Sequence, residues 1–307
     1  MTDDWWPEHE LRTRAQPPRD GLDRMIEALD PGGTVLDVQL LRGGIINSTH
    51  ALDIRMSDGA TKRYVLKRFL FSADEARREW DSLVVAERAR VPTPQPVVFD
   101  GAGGWFGEAA MLVTLLPGLA RIPDDSGKLP ELLGDTLAEI HRCDIGDRSA
   151  VPRETFWSRS AMGSEGILSD VGEAVERRLS GMEPSDSALL HGDFWTGNIL
   201  WRDGQVSGVV DWGRSCVGPR GYDVAYARVD MDLLWGADAA ERFTAAYSRA
   251  AGPVPDLPLW DLVCGYDALQ SAVWWMRGYR ALGRGDFDLE RIEAHLPAFL
   301  RRALARE

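Results

Sequence analysis

Lysine is scarce in this chain. Of 35 basic residues only three are lysine, Lys62, Lys67 and Lys128; the rest are arginine. A compositional preference for arginine accounts for the bias, and it gives weight to any lysine set within an apolar strand. Cysteine is as rare. Cys143, Cys216 and Cys264 are odd in number and far apart, which argues against a disulfide scaffold or a zinc knuckle and fits a reducing compartment. Long apolar runs are missing: the longest, Ala109–Ala120, is too short to span a bilayer and contains Thr114, Pro117 and Gly118. The opening MTDDWWPEHE is acidic where a signal peptide would be basic, so a cytoplasmic location is expected rather than export. There is no internal repeat and no low-complexity tract.

Positive charge is also in deficit. The formal net charge is −13 over 307 residues, which disfavours nucleic acid and anionic membrane as partners and leaves cationic small molecules open. Solubility alone is the plainer reason for such acidity. Residues 1–116 carry −4 (14 basic, 18 acidic) and residues 117–307 carry −9 (21 basic, 30 acidic). With 44% hydrophobic and 27% charged residues the composition is ordinary for a globular protein, and the length suggests two domains or one bilobal unit.

Periodicity divides the chain near Leu116. After a loose opening and a short helix over Gly21–Leu29, strands are expected at Val35–Leu41, Ala51–Met56 and Tyr64–Leu70, the last two joined as a hairpin by Ser57-Asp58-Gly59. Ser72-Ala73-Asp74-Glu75 reads as a capping box opening a helix to about Ala89, with Ala76, Trp80, Leu83 and Val84 as its buried stripe. Val97–Phe99 and Ala109–Leu116 complete a strand-rich lobe, residues 1–116. In residues 117–307 helices fit Leu132–His141, Val171–Leu179, Ala239–Ala250, Leu259–Tyr279 and Leu289–Leu304, and only Leu189–Asp211 is strand-like. The expected class is α+β, a small strand-rich lobe before a larger, mainly helical one.

The richest stretch is His191-Gly192-Asp193-Phe194-Trp195-Thr196-Gly197-Asn198, followed by Val209-Val210-Asp211-Trp212. Asp203-Gly204 is a two-residue hairpin signal between Ile199–Trp201 and Val206–Val210. Pairing about that turn sets 202 opposite 205 and 198 opposite 209, so Asn198, Val209 and Asp211 share a face, with Asp193 in the loop leading in. Three oxygen-bearing side chains then converge where a hard cation such as Mg²⁺ fits, leaving coordination sites for phosphate and water. Any one of them alone would read as a turn or a cap. A metal-dependent hydrolase built on His191, Asp193 and Asp211 would lack a further histidine pair.

In the first lobe Lys67 shares a strand face with Val65 and Phe69 and needs a counter-charge, for which Glu79 is best placed; Glu75 is occupied by the capping box. Leu41-Arg42-Gly43-Gly44-Ile45-Ile46-Asn47-Ser48-Thr49 links two strands. Gly43 and Gly44 would let backbone approach a phosphate, and Asn47, Ser48 and Thr49 could donate or shape the turn, although a glycine pair is more often only a hairpin turn. For an acceptor, Asp230, Asp232 and Trp235, with Tyr266, Asp267 and Trp274, could hold an amine by ion pairing and cation–π contact; tryptophans at helical spacing are otherwise core.

His-Gly-Asp-x-x-x-x-Asn followed by Asp-Trp resembles the aminoglycoside phosphotransferase family, a branch of the protein-kinase-like fold. Gly218-Pro219-x-x-x-Asp223-x-Ala225 matches it too, and the catalytic-loop variant is also similar to that of fructosamine kinases. The resemblance covers roughly Val35 to Tyr226. It implies a bilobal kinase-like fold and nucleotide-dependent transfer of a phosphoryl group to a hydroxyl. Asp193 would be the catalytic base, Asn198 and Asp211 the Mg²⁺ ligands, and Lys67 with Glu79 the holders of the α- and β-phosphates of ATP or GTP. His191 and Asp223 would brace the loop. Backbone groups of Thr114 and Leu116 would meet the adenine at the Pro117-Gly118 hinge. Where relatives often carry an acid after Asp-Trp, this chain has Gly213-Arg214. The acidity of residues 117–307 adds the expectation of an amine-bearing acceptor of aminoglycoside, macrolide or amino-alcohol type. Metabolic kinases of choline, homoserine or ketosamines share the motif set, and a nucleotide-binding pseudokinase is the reading from another class. The oligomeric state has no signature.

Overall fold

The turn at Ser57-Asp58-Gly59 sets up the sheet that dominates the first half. Met56 N–H donates to the carbonyl of Ala60 at 2.7 Å, and Gly59 takes the positive φ, +87°, that the turn requires. In the computed structural model, residues 6–41, 46–88, 91–124, 126–144, 166–179 and 187–307 are described. Strands β1 (Thr34–Leu40), β2 (Ser48–Arg55), β3 (Thr61–Phe69), β4 (Pro96–Asp100) and β5 (Ala109–Thr114) form one antiparallel sheet in the order β1-β2-β3-β5-β4.

Alternation along β3 gives the sheet two apolar faces. Tyr64 and Leu66 pack with Leu52, Ile54 and Leu112 against Leu22, Met25 and Ile26 of helix α2 (Arg19–Leu29). Val65, Phe69, Met111 and Val113 face helix α3 (Ala73–Ala86), and that core continues into the second half through Leu133, Ile199, Val209 and Phe243. The two halves thus share buried surface, each fully buried Leu or Phe contributing roughly 1.5–3 kcal/mol. The Ser72 hydroxyl caps α3, accepting from Glu75 N–H at 3.1 Å. The buried stripe of α3 runs through Ala76, Glu79 and Leu83; Val84, expected within it, is 43% exposed. The opening segment, expected to be loose, contains helix α1 (Trp6–Arg14), and the carbonyl of Ala15 just after it accepts from Arg68 Nη2 at 2.9 Å.

The second half is mainly helical: α4 (Leu129–His141), α5 (Ile167–Leu179), α6 (Arg220–Trp235), α7 (Ala237–Ala251), α8 (Leu257–Gln270), α9 (Ala272–Ala281) and α10 (Leu289–Leu304). Two small antiparallel sheets lie among them, β6 (Leu119–Ala120) with β8 (Ile199–Arg202) and β9 (Gln205–Val209), and β7 (Ser187–Leu190) with β10 (Cys216–Pro219). Periodicity misses α6 because every residue from Gly221 to Leu234 is buried, so the helix has no polar face to mark it. The single helix expected over Leu259–Tyr279 is two, divided at Ser271, whose hydroxyl donates to the carbonyl of Asp267 at 2.6 Å. None of the described helices is long and apolar enough to cross a membrane.

Candidate active site

Strand β7 delivers His191-Gly192-Asp193 to the edge of a second loop that runs from Asp211 into β10, and pairing of β7 with β10 holds the two loops together. The contact admits only glycine at 192: φ is +77°, and a Cβ there would stand 2.1 Å from the carbonyl oxygen of Arg214. Asp223, in the first turn of α6, accepts from the amides of His191 at 2.6 Å and Gly192 at 2.9 Å. It is itself fully buried and meets His141 Nε2 at 3.2 Å, whose Nδ1 lies 2.7 Å from the Tyr247 hydroxyl. The ring of His191 accepts from Asp193 N–H at Nδ1, 3.3 Å, so Nε2 carries the proton and donates to the carbonyl of Val210 at 3.0 Å. Burial keeps this imidazole below its ordinary value against the pull of nearby carboxylates, so it is neutral and ties the Asp193 loop to the residue before Asp211.

The Asp193 carboxylate is oriented from both sides. Tyr226 on α6 donates its hydroxyl to Oδ1 at 2.7 Å, and Asn198 Nδ2 donates to Oδ2 at 2.9 Å and to the Asp193 carbonyl at 2.8 Å. Burial raises the Tyr226 phenol well above its ordinary value, with Asp193 adding to the effect, so it remains a donor. Tyr226 was not foreseen, although it lies one turn after Asp223 on the same helix face.

The hairpin places its residues differently from the expected register. Arg202 does face Gln205, but Ser207 bulges, so Val209 stands opposite Ile199 rather than Asn198. Asn198 closes a short helical turn, Thr196–Asn198, and its carbonyl accepts from Val210 N–H at 2.9 Å. Asp211 lies beyond the strand with a φ of 67°, a conformation aspartate tolerates better than most residues.

From there Asp211 reaches the first half of the chain. Lys67 Nζ lies 2.6 Å from Asp211 Oδ1 and 2.5 Å from Glu79 Oε2. Burial alone would lower the Lys67 ammonium, but Asp211 and Glu79 outweigh it and raise it. Burial pushes Glu79 up to about 7 despite the ammonium beside it, whereas Lys67 holds Asp211 below its ordinary value against burial. Glu75, one turn earlier on α3, accepts from Asn47 Nδ2 at 2.8 Å. A Cβ on Gly213 would stand 3.2 Å from Glu75 Oε1 and 3.3 Å from Glu79 Oε2, so an acidic side chain there would face two carboxylates.

Other expected residues divide. Gly43 and Gly44 lie outside the described residues. Ser48 pairs across the ladder with Arg68 and accepts from its Nη2 at 2.9 Å, on the sheet face opposite Lys67; Thr49, not Ser48, is the cross-strand neighbour of Lys67. Thr114 is engaged with Gln95 through both N–H and hydroxyl, at 2.9 and 2.8 Å. Leu116 is half-buried, its side chain lying against Gly208.

Of the expected acceptor residues, Asp230 and Asp232 are committed inside the fold. Asp230 accepts from Thr196 N–H at 2.8 Å, from the Thr196 hydroxyl and from the Tyr279 hydroxyl at 2.9 Å, and burial raises it to about 6. Asp232 bonds His295 at 2.7 Å and Arg302 at 2.6 Å. Tyr266 is buried, Trp235 packs against the core, and Trp274 is half-buried with Arg277 over its ring at 5.4 Å. Asp267 differs: it is open to solvent and lies within electrostatic reach of Asp193 and of Arg214.

Among the described residues no three His, Cys, Asp or Glu side chains gather as a metal site. Asp211 and Asn198 nevertheless offer hard oxygen donors, since Asn198 spends its Nδ2 on Asp193 and Asp211 uses only Oδ1 on Lys67. That sparse set suits Mg²⁺, which takes much of its coordination from phosphate and water.

Comparison with known proteins bears on the family and the fold. Residues 37–266 match the profile of the phosphotransferase enzyme family. A homoserine kinase of Bartonella tribocorum is 23% identical over 215 residues, 63% of this chain and 64% of that protein, so the match spans under two thirds of the relative's length. A homoserine kinase of Bartonella henselae is 26% identical over 153 residues, 45% of this chain and 48% of that protein. Among solved structures, a thermostable aminoglycoside phosphotransferase in ternary complex with ADP and hygromycin B superposes with a TM-score of 0.61 at 19% identity, over 91% of this chain and 97% of that one. The macrolide 2′-phosphotransferase of Brachybacterium faecium does so at 0.56 and 20% identity, over 92% and 98%. At those identities the structural likeness speaks for the fold.

Proposed function

The chain belongs to the phosphotransferase enzyme family, and from that premise we propose that it transfers the γ-phosphoryl group of ATP or GTP to a hydroxyl of a small, amine-bearing molecule. The observation that carries the reading is the Lys67–Glu79 pair reaching Asp211, beside a loop whose Asp193 carboxylate is aimed by Asn198 and by Tyr226 of α6. In this reading residues 1–116 hold the nucleotide and residues 117–307 hold the acceptor and the base.

Lys67, kept charged, orients phosphate oxygens, and Glu79 keeps Lys67 in place. Asn198 and Asp211 would hold Mg²⁺, which neutralises charge on the phosphates when bound. Asp193 takes the proton of the acceptor hydroxyl as its oxygen bonds to the γ-phosphorus and the bridging β–γ bond breaks. The peptide groups from Thr114 to Leu116 would face the base. The presence of all four motif side chains, Lys67, Asp193, Asn198 and Asp211, supports an enzyme over a pseudokinase.

Antibiotic modification is one role for such an activity; phosphorylation of a metabolic amino alcohol or amino acid is the second, favoured by the homoserine kinases among its relatives. The test is acceptor-dependent release of ADP or GDP across aminoglycosides, macrolides, choline, ethanolamine, ketosamines and L-homoserine, with the phosphorylated product read by phosphorus NMR. Nucleotide binding without turnover on any of these would favour the pseudokinase.

A further inference from the structure

Helix α9 turns one face to the loop that carries Asp193 and Asn198, although it begins beyond the residues that match the family profile. Trp275, Gly278 and Tyr279 stand at i, i+3 and i+4 and so share that face. Trp195 meets all three. Its ring lies 6.0 Å from that of Trp275 and 5.7 Å from that of Tyr279, steeply inclined to both. Glycine is poor in a helix interior, and at 278 the indole explains it: a Cβ would stand 2.8 Å from Trp195 Cη2. The same ring leaves no room for a Cβ on Gly197, so two glycines make the seat of one side chain. The Trp195 backbone is fixed as well. Its N–H donates to the Asp193 carbonyl at 3.1 Å, and its carbonyl accepts from Asn198 N–H at 3.0 Å.

The next residue carries a second anchor. Thr196 donates through its N–H and its hydroxyl to Asp230 Oδ2, and Asp230 Oδ1 accepts from the Tyr279 hydroxyl at 2.9 Å. Thr196, Asp230 and Tyr279 are all fully buried. A buried acid is costly unless donors meet it, and the donors that meet this one come from the turn and from α9. Burial raises the Tyr279 phenol well above its ordinary value, so it stays a donor. A third contact runs through Trp275, whose ring lies 5.2 Å from that of Tyr226, the residue that donates to Asp193.

We infer that α9 belongs to the catalytic apparatus: Tyr279, acting through Asp230, and Gly278, by seating Trp195, are positioning residues that hold the Trp195–Asn198 turn in register with Asp193. The inference rests on the phosphotransferase reading above and extends it past the residues that match the family. Displacing the turn moves Asn198, and with it both the oxygen offered to Mg²⁺ and the hold on Asp193 Oδ2. Lys67 and Glu79 lie on other elements and keep their contact. Core packing alone is the rival role.

Calorimetry with the β,γ-imido analogue of ATP or GTP, with and without Mg²⁺, separates the two, beside hydrogen exchange of peptides that span 193–199. Tyr279→Phe keeps the ring and removes the donor, whereas Gly278→Ala presses on the indole. Each is expected to cut the gain in affinity that Mg²⁺ brings by about tenfold, to leave Mg²⁺-free affinity unchanged and to speed exchange in 193–199. Thr196→Val should do the same and Thr196→Ser should not. On a Trp195→Phe background, which makes room, Gly278→Ala should cost less. Thermal melts report folding; should Gly278→Ala fail to fold, the Thr196 pair decides. Folded variants with wild-type Mg²⁺ dependence overturn the inference, as does a loss equal with and without Mg²⁺, which core packing alone would give. A wild-type protein that binds neither analogue, or gains nothing from Mg²⁺, sinks the phosphotransferase reading first.

Discussion

Lys67 and Asp211 lie 144 residues apart in the chain and 2.6 Å apart at Nζ and Oδ1, joining the five-stranded sheet to the hairpin of the second half. Since Glu79 is 4% exposed and closes the same contact, Lys67 is the counter-ion of two acids at once.

Replacing Lys67 by methionine keeps the length of the side chain and removes the charge. Nucleotide affinity should fall by at least about tenfold. Stability should also fall, because losing one partner of a buried pair costs roughly 3–5 kcal/mol, less where the remaining acid takes up a proton, as burial favours for Glu79 once the ammonium is gone. Nucleotide titrations and urea melts check both; a variant with wild-type affinity sinks the assignment.

Asp193 and Asp211 should separate by function. Asp193→Asn is expected to bind nucleotide and lose turnover by about 10²–10⁴-fold, the usual contribution of a general base. Asp211→Ala is expected to lose Mg²⁺-dependent nucleotide binding. Calorimetry with and without Mg²⁺, beside steady-state rates, distinguishes them, and the opposite pattern would reverse the two roles.

Asp223→Ala leaves the amides of His191 and Gly192 without their acceptor, and His141 without a partner at Nε2. A loss of about 1–3 kcal/mol in stability is expected for each unsatisfied buried group that water cannot reach. kcat should fall while nucleotide affinity, which depends on Lys67 and Asp211, is largely kept. An unchanged kcat in a folded variant would show that the loop does not need this support.

His50 supplies a pH dependence. It is fully buried on β2, and burial, with Arg68 adding to it, lowers its imidazole from 6.5 to about 4. Between those values the unfolded chain binds a proton that the folded protein does not, so this contribution to stability is intact above about pH 6.5 and is lost as pH falls toward about 4. His50→Gln has no such proton to bind. Its urea midpoint should therefore decline less on acidification than that of the wild type; a gap between the two that stays constant with pH would contradict the assignment.

Local pattern carried the first half well. The β2–β3 hairpin, the Ser72 cap and the side of β3 that bears Lys67 all follow from alternation and turn chemistry, and these rules act over a few residues. Helix α10 was equally legible because its amphipathic stripe is capped by Asp288, which accepts from Arg291 N–H at 2.8 Å. Helix α6 was not. Its charged residues form no single stripe, and Arg228, Asp230 and Asp232 find partners 33 to 70 residues away at Asp261, Tyr279, His295 and Arg302. For the same reason Asp230 and Asp232 resembled ligand groups. The catalytic motif was readable by residue type and spacing, but the bulge at Ser207 moved its register by one residue, and membership of a glycine loop did not reveal that Ser48 points away from Lys67. Arg214 stood out only as a departure from a familiar acid. Gly213 beside it explains part of that departure, since the space an acid would occupy is bounded by Glu75 and Glu79.

The poverty in lysine makes the protein its own chemical reporter. Lys62 and Lys128 are exposed, whereas Lys67 is 8% exposed and held between two carboxylates. An amine-acylating reagent therefore meets two open lysine side chains and one that is both shielded and kept protonated, hence poorly nucleophilic. Any event that draws Lys67 away from Asp211 and Glu79 would change the labelling of a single peptide against two internal standards. Opening of the contact between the two halves can thus be followed by mass spectrometry on the unmodified sequence.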